Sequence, residues 1–260
     1  MSHSTPMHQM NPLDRFSNRA GDYARYRPSY PAAAIAAILA DLGEPGQLTA
    51  ADVGAGTGIS ARLLADQGVN VWAIEPNAAM RQSAEPHAGV TFQAGTAEQT
   101  GLPDGSVDLV TCFQAFHWFD PAKSLDEFHR ILRLTGRVAL VWNERDQDDP
   151  FTAQYTQLIR VASNQHPAEH RNLLAVETKP LASSDRFQNF RHHSFVYRQA
   201  IDLPALIGRI RSTSYLPQEG VVYDQLVDDV TQLYRQWEQA QGAIDLVHRT
   251  DVFLAEPSSP

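Results

Sequence analysis

Two acidic residues and a run of glycines occur close together in the first third of the sequence. The stretch DVGAGTG places Asp52 directly before a turn with three alternating glycines, and Glu75 follows at the end of the apolar stretch VWAIE. Glycine has no Cβ atom, so such a turn permits positive φ angles and lets a ligand touch the backbone. These residue types suit the binding of a small ligand that carries hydroxyl or ammonium groups.

Three classes of ligand use glycine-rich turns of this kind. A phosphate-binding P-loop needs lysine followed by serine or threonine after its last glycine, whereas Ile59 and Ser60 follow Gly58 here. A dinucleotide-binding turn has the pattern G-x-G-x-x-G, and Ile59 occupies its third glycine position, which weakens the hypothesis of a nicotinamide-dependent oxidoreductase without excluding it. Asp52 would repel a pyrophosphate and attract an ammonium group, which favours the third class, a ligand without phosphate.

Glu75 is placed to accept hydrogen bonds from the hydroxyl groups of a ribose. The alternative is an ordinary surface charge at the end of a strand. A ligand with a ribose at one end and an ammonium group at the other satisfies both Glu75 and Asp52, and S-adenosylmethionine has both groups. The residues therefore favour a turn that holds the methionine end of this cofactor.

The elements that position these residues are those of an α/β protein. An alanine-rich run to Leu42 predicts a helix, and five apolar stretches then alternate with helical ones. The predicted strands are LTAADV, VNVWAIE, GVTFQAG, SVDLVTCF and RVALVWN, and the stretch PAKSLDEFHRILRLTG predicts a helix that ends at Gly136. This alternation predicts a parallel sheet with helices on both faces, and the glycine turn follows its first strand, at the edge where ligands bind.

The alternation ends after residue 143. The sequence then predicts a helical insertion over 144–185, a strand FRHHSFVYRQAID, helices LPALIGRIRSTSYL and VYDQLVDDVTQLYRQWEQAQG, and a last strand AIDLVHRTDVFLAEP. We expect the late strands to complete the same sheet, so that residues 1–260 form one domain. Its other parts are an N-terminal helical segment (1–45), a cofactor-binding core (46–143) and a C-terminal part (186–260).

Composition limits the partners of the chain. A formal net charge of −9 argues against broad binding to nucleic acid or to anionic membranes. The N-terminus has no apolar secretory core and no stretch is long enough to span a bilayer, so we expect a cytoplasmic protein. The single cysteine, Cys112, lies in an apolar run and is interpreted as a packing residue, and no cysteine–histidine spacing indicates a metal site.

Several stretches taken together resemble a known family. DVGAGTG, VWAIEPNAAM, GTAEQTGLPDGSVDLVTC and RILRLTGRVALVW are similar, in order, to the successive motifs of class I S-adenosylmethionine-dependent methyltransferases. The flanking stretches YARYRPSYP, FQAFHWFD and GRIRSTSYLP resemble a small-molecule subgroup similar to trans-aconitate methyltransferase. The resemblance implies a Rossmann-like, seven-stranded, mostly parallel sheet, S-adenosylmethionine as cofactor and a small-molecule methyl acceptor.

The resemblance also implies which residues bind the cofactor. Arg27 is included as a group that reaches the cofactor carboxylate, with a surface arginine as the alternative. The others are Asp52, Gly54, Ala55, Gly56 and Gly58 at the methionine end, Glu75 at the ribose, Pro76 and Met80 near the adenine, Thr96, Ala97 and Glu98 flanking the adenine ring, and Gln114 near the methionine portion.

The acceptor side is predicted from aromatic and basic residues. His117 follows the fourth strand, so we expect it near the methyl group as a base or as a donor to a substrate carboxylate; local packing is the alternative. Trp118 is expected to wall the acceptor pocket, with a core position as the alternative. Tyr23 and Tyr26 are expected to close over the site, Tyr26 as a second catalytic candidate, with packing as the alternative. A polar acceptor is expected to meet Arg209, Ser212 and Tyr215, for which a structural helix end is the alternative.

The expected reaction needs few specific catalytic groups from the protein. Methyl transfer from a sulfonium is an in-line displacement, so proximity and exclusion of water supply much of the acceleration. A general base is needed only when the acceptor must lose a proton. The alternatives to a methyltransferase are the nicotinamide-dependent oxidoreductase and a non-catalytic protein that binds S-adenosylmethionine.

Overall fold

Strands and helices alternate through the first half of the chain, as the sequence predicts. The computed structural model describes residues 27–164, 166, 174–213, 215–238 and 242–258. Tyr23 and Tyr26, expected at the acceptor side, lie outside the described residues. The strands are β1 (Thr49–Val53), β2 (Asn70–Ile74), β3 (Val90–Gln93), β4 (Val107–Phe113), β5 (Leu132–Arg145), β6 (Phe187–Ile201) and β7 (Ile244–Pro257).

The helices cover the sheet and connect its strands. They are α1 (Ala32–Leu39), α2 (Ile59–Ala65), α3 (Ala78–Gln82), α4 (Pro121–Ile131), α5 (Pro150–Ala162), α6 (Leu174–Ala182), α7 (Leu203–Ser212) and α8 (Val221–Trp237). Asn77 caps α3, as predicted, because its side chain accepts from the N–H groups of Ala79 and Met80. No helix in the described ranges is sufficiently long and apolar for a membrane span.

All seven strands join one sheet in the order β3-β2-β1-β4-β5-β7-β6. The strands β1 to β5 pair in parallel, whereas β7 lies antiparallel between β5 and β6. The predicted Rossmann-like, mostly parallel sheet is therefore confirmed, and so is the prediction that the late strands complete it. The insertion after β5 is helical, as expected, and contains α5 and α6.

Three apolar clusters hold these layers together. On one face of the sheet, α1 and α2 contribute Ile38 and Leu64, and on the other face α4 contributes Phe128; all three side chains are fully buried. A third cluster joins α5, α7 and α8 to the start of β7 through Leu246. Strands β1 and β4 are buried on both faces, which explains why most of their residues are apolar.

One boundary predicted from the sequence is wrong. The helix expected to run to Gly136 ends at Ile131, and β5 begins at Leu132. Leu132 is buried and pairs with Val107 at the start of β4, so the chain leaves the helix early to extend the sheet. Gly136 lies inside β5, where an added Cβ would come within 2.8 Å of the Asp108 carbonyl oxygen. This glycine therefore allows close strand approach and does not end a helix.

Candidate functional site

The glycine turn joins β1 to α2 at the carboxyl end of the sheet. Gly54, Gly56 and Gly58 have φ angles of 73°, 57° and 76°, the left-handed region that side chains disfavour. The N–H of Gly54 donates to the Ile74 carbonyl at 2.9 Å, which ties the turn to the end of β2. A Cβ on Gly54 would lie 2.6 Å from the Cβ of Ala115, so only glycine allows this approach.

The Glu75 carboxylate holds the turn from the side of β2. One oxygen accepts from the N–H of Gly56 and the other from the N–H of Asn77, both at 2.9 Å. The side chain is almost buried, and this burial raises the pKa of Glu75 above its usual value. Each carboxylate oxygen can accept a further hydrogen bond, which keeps Glu75 able to bind ligand hydroxyls.

Asp52 lies underneath the turn and is fully buried. Its two oxygens accept from the hydroxyl groups of Ser60 at 2.6 Å and Thr111 at 2.8 Å. Burial raises the pKa of Asp52 to about 6, although these hydrogen bonds oppose the shift. Contact of Asp52 with a ligand ammonium stays a prediction. The hydrogen bond from Ser60 links the Asp52 carboxylate to the start of α2.

An open cavity of about 450 Å³, including the solvent at its mouth, lies beside the turn. Five residues predicted for the cofactor line it: Arg27, Gly54, Ala55, Gly56 and Gln114. Sequence reasoning missed the other lining residues, which come from the N-terminal segment, the turn and the end of β4: Pro28, Tyr30, Thr57, Ile59, Ser60 and Phe113.

Gln114 has a strained backbone at the floor of this cavity. Its φ angle is 57°, which is uncommon for a residue with a side chain, and such strain is concentrated at functional sites. Its N–H donates to the Val141 carbonyl at 2.8 Å, and its side-chain Nε2 donates to the Asn143 carbonyl at 2.7 Å. These bonds fix Gln114 between the turn and the end of β5.

The residues expected around the adenine lie outside the set that lines this cavity. Met80 and Ala97 are buried, while Pro76 and Thr96 are half-buried. Glu98 accepts from the N–H of Asp120 at 3.0 Å, which joins the loop after β3 to the start of α4. The structure thus gives Glu98 a positioning role.

His117 and Trp118 lie in a short 3₁₀ turn, Phe116–Trp118, directly after β4. Their rings are 4.9 Å apart between centroids and both are half-buried. The ring of Phe119, next in the chain, would lie 2.9 Å from a Cβ on Gly54. The loop after β4 therefore packs directly against the glycine turn, and the roles predicted for His117 and Trp118 stay predictions.

The residues predicted from the stretch GRIRSTSYLP make different contacts in the structure. The Ser212 hydroxyl donates to the Arg209 carbonyl at 2.8 Å within α7, and the ring of Tyr215 stacks on that of His166 at 4.8 Å. Arg209 is nearly buried and donates to the Nε2 of His248 at 3.1 Å. Sequence reasoning missed His248, for which the signal was a histidine within a predicted strand.

The described residues form no candidate metal site. Across the described residues, the side chains of histidine, cysteine, aspartate and glutamate form no group of three or more that could hold a metal ion.

Comparison with known proteins identifies the class to which this fold and site belong. Residues 51–140 match the family model described as "Methyltransferase domain". An uncharacterized methyltransferase of Mycobacterium tuberculosis is 32% identical over 222 residues, which cover 84% of this chain and 84% of the relative.

Solved structures agree in fold. A protein of Anaeromyxobacter dehalogenans assigned as a type II methyltransferase superposes with a TM-score of 0.66 at 21% identity, covering 89% of this chain and 98% of that one. A protein of Anabaena variabilis assigned to an antibiotic biosynthesis pathway as a methyltransferase gives 0.62 at 25% identity, covering 88% and 98%.

The fold and the glycine turn are those of class I S-adenosylmethionine-dependent methyltransferases. The chain belongs to this family and is an S-adenosylmethionine-dependent methyltransferase.

Proposed function

We propose that the chain transfers a methyl group from S-adenosylmethionine to an oxygen of a small molecule, either a carboxylate or a hydroxyl. The observation that carries this proposal is the cavity between the glycine turn and the N-terminal segment, which is lined by Arg27, Gly54 and Gly56. A concave site with backbone and basic groups in its lining suits a small ligand and its reaction partner.

The residues of the turn fit the cofactor. Glu75 is the group that would hold the ribose hydroxyls, because its carboxylate is fixed at the end of β2 beside Gly56. The backbone of the turn and Gln114 would hold the methionine portion of the cofactor. The guanidinium of Arg27 would donate charge-assisted hydrogen bonds to the carboxylate of that portion. When bound, S-adenosylmethionine supplies a methyl group already activated by its sulfonium.

The protein's own task is to position the acceptor and to keep water out. Trp118 and Phe119 would form an apolar wall beside the turn, since Phe119 packs against Gly54. A carboxylate acceptor loses no proton on methylation, so it needs no base. A hydroxyl acceptor does lose one, and His117, half-buried after β4, is the residue placed to accept it.

Calorimetry tests the cofactor assignment. We expect S-adenosylmethionine and S-adenosylhomocysteine to bind the purified protein and NAD to give no heat of binding. The reverse result would favour the oxidoreductase hypothesis and would refute this proposal.

A screen of acceptors tests the chemistry. The protein is incubated with S-adenosylmethionine and small carboxylic acids or alcohols, and release of S-adenosylhomocysteine is measured. We expect release that depends on the acceptor and a product heavier by one methylene. Cofactor binding without release for any acceptor would support the non-catalytic alternative.

A further inference from the structure

One edge of the sheet is formed by a long strand. β6 is the last strand in the sheet order and spans 15 residues, whereas β3, at the opposite edge, spans 4. Within the described residues β6 pairs with β7 alone. Because a strand has hydrogen-bonding groups on two sides, the outer N–H and C=O groups of β6 point away from the sheet and can pair with another strand.

The sequence of β6 lacks several features that protect natural sheet edges. Such edges often carry proline, β-bulges or only a short strand. The stretch FQNFRHHSFVYRQAI contains no proline or glycine. The register with β7 shifts once, between Gln188 and Arg191, and then continues without a break to Ile201. Residues 191–201, which we call the edge segment, therefore form a regular strand that can accept another.

Charged side chains also protect edges, but the arginines of the edge segment are paired within the sheet. Arg191 donates to the Glu256 carboxylate at 2.8 Å, and the guanidinium of Arg198 lies 3.9 Å from the carboxylate of Asp245. Both carboxylates belong to β7, so these ion pairs offset the positive charge of β6. The approach of a second strand with the same basic residues is therefore less strongly opposed.

Val196 lies in the middle of the edge segment. It is 59% exposed, and its neighbours Phe195 and Tyr197 are half-buried. Aromatic and β-branched residues are those that stabilise pairing between strands. The centre of the edge segment thus offers apolar surface that a partner strand would cover.

A second copy of the chain complements this edge. In an antiparallel pair related by a twofold axis normal to the sheet, opposite residues share a face, so the axis passes through one residue. An axis at Val196 pairs the whole edge segment with itself, and any other axis shortens the paired length. The pairs are then Val196 with Val196, Phe195 with Tyr197, Ser194 with Arg198, His193 with Gln199, His192 with Ala200 and Arg191 with Ile201.

This register keeps basic side chains apart. None of its pairs places two basic residues opposite each other, whereas an axis at Phe195 would place His192 opposite Arg198. It also forms the aromatic pair of Phe195 with Tyr197 twice, once on each side of the axis. The charges and the apolar residues of the edge segment therefore favour a second copy over an unrelated strand.

We propose that two copies of the chain associate through β6, by antiparallel pairing about Val196, into a dimer with one continuous sheet. Hydrogen bonds between the two edge segments and the burial of Val196 stabilise this dimer. The proposal concerns a surface outside the cofactor cavity, so it does not depend on the acceptor.

Measurement of the particle mass tests for the dimer. Light scattering after size-exclusion chromatography is applied to the purified protein over a range of concentrations. We expect a mass twice the 28.8 kDa of one chain. The mass of a single chain at every concentration up to the millimolar range would overturn the proposal and leave the edge to a strand of another protein.

Disulfide formation tests the register. In the proposed dimer, Val196→Cys places two thiols directly opposite each other, with Cα atoms about 4.5–5.5 Å apart, which suits a disulfide. The native Cys112 is buried and does not compete. Under mild oxidation we expect a linked dimer of the Val196→Cys protein on a non-reducing gel.

Ala200→Cys is the matched control for this cross-link. Ala200 is also exposed and lies on the same face of β6, because it is an even number of residues from Val196. In the proposed dimer it lies opposite His192, so the two new thiols are about 27 Å apart along the strand. Cross-linking should be slower by about tenfold or more than for Val196→Cys. Equal rates for the two variants would overturn the proposal.

A charge at the axis tests the interface without oxidation. Val196→Lys places two ammonium groups opposite each other and should raise the dimer dissociation constant about tenfold or more. The exposed position should leave the melting temperature of the chain and the binding of S-adenosylhomocysteine unchanged. Val161→Lys, in α5 and 63% exposed, is the control that should keep the dimer. Unchanged dimer affinity in Val196→Lys would show that β6 is not the interface.

Discussion

The carboxylate of Glu75 accepts a hydrogen bond from the backbone N–H of Gly56 at 2.9 Å. The end of β2 therefore holds the middle of the turn that follows β1. The second oxygen accepts from Asn77 at the start of α3. The Glu75 side chain thus fixes the position of the glycine turn relative to the start of α3. The two ends of a ligand that contains a ribose would bind at these two segments.

Glu75→Gln should weaken binding of S-adenosylhomocysteine about tenfold or more. The amide has one acceptor oxygen, so either Gly56 or Asn77 loses its partner, and the charge is lost as well. Calorimetry measures the affinity. Glu44→Gln is the control, because this exposed side chain lies away from the turn and should leave affinity unchanged. Equal affinity in the Glu75 variant and the unmodified protein would contradict the role given to Glu75.

Gly54→Ala should destabilise the protein and abolish cofactor binding. The new Cβ would lie 2.6 Å from Ala115 and 2.9 Å from the Phe119 ring, so the loop after β4 must move. Gly105→Ala separates this clash from backbone strain, because Gly105 also has a positive φ, 55°, but nothing within 4 Å of a Cβ. Chemical denaturation should show a loss of about 1 kcal/mol for Gly105→Ala, from strain alone, and clearly more for Gly54→Ala. Equal losses would show that the packing against Ala115 is unimportant.

The sequence predicts the sheet and the turn because both depend on local patterns. Glycine at alternate positions and apolar runs between helical stretches need no knowledge of distant residues. The orientation of Asp52 was not predictable in this way, since the position of Thr111, in the neighbouring strand, decides which way its carboxylate turns. The pattern placed the residue correctly at the base of the turn and gave no indication of its partners Ser60 and Thr111.

The contact between Arg209 and His248 was beyond sequence reasoning for a related reason. Arg145, Tyr197 and His248 become neighbours only through the register of three strands that are far apart in the chain. The early start of β5 has the same origin, because Leu132 extends the strand by pairing with Val107. Local helix propensity favours a longer helix, but the free energy gained by burying Leu132 and pairing it in the sheet is larger.

Asp52→Asn should change how stability depends on pH. The pKa of Asp52 is about 6 in the folded protein against 3.8 for an ordinary aspartate, so the folded state binds more protons between these values. The contribution of Asp52 to stability is therefore complete below about pH 4 and is lost as the pH rises through 6. From the size of this shift, the unmodified protein should lose roughly 3 kcal/mol relative to the variant over this range.

Urea denaturation of both proteins at several pH values between 4 and 7 measures this difference. Asparagine is nearly the same size as aspartate, and the hydroxyls of Ser60 and Thr111 can rotate to accept or donate, so the variant should fold. A difference in the free energy of unfolding that stays constant across this range would show that Asp52 is not a strained buried acid.

His248 should remain neutral throughout the physiological range. Burial, helped by the positive charges of Arg209 and Arg145, lowers the pKa of His248 to about 3. The folded protein thus resists protonation of this ring, and its contribution to stability, present above pH 6.5, is lost as the pH falls toward 3. In NMR spectra, the ring nitrogens of His248 should not titrate between pH 5 and 8, with His248→Gln used to assign the signals. A midpoint near 6.5 would show that Arg209 does not donate to this ring.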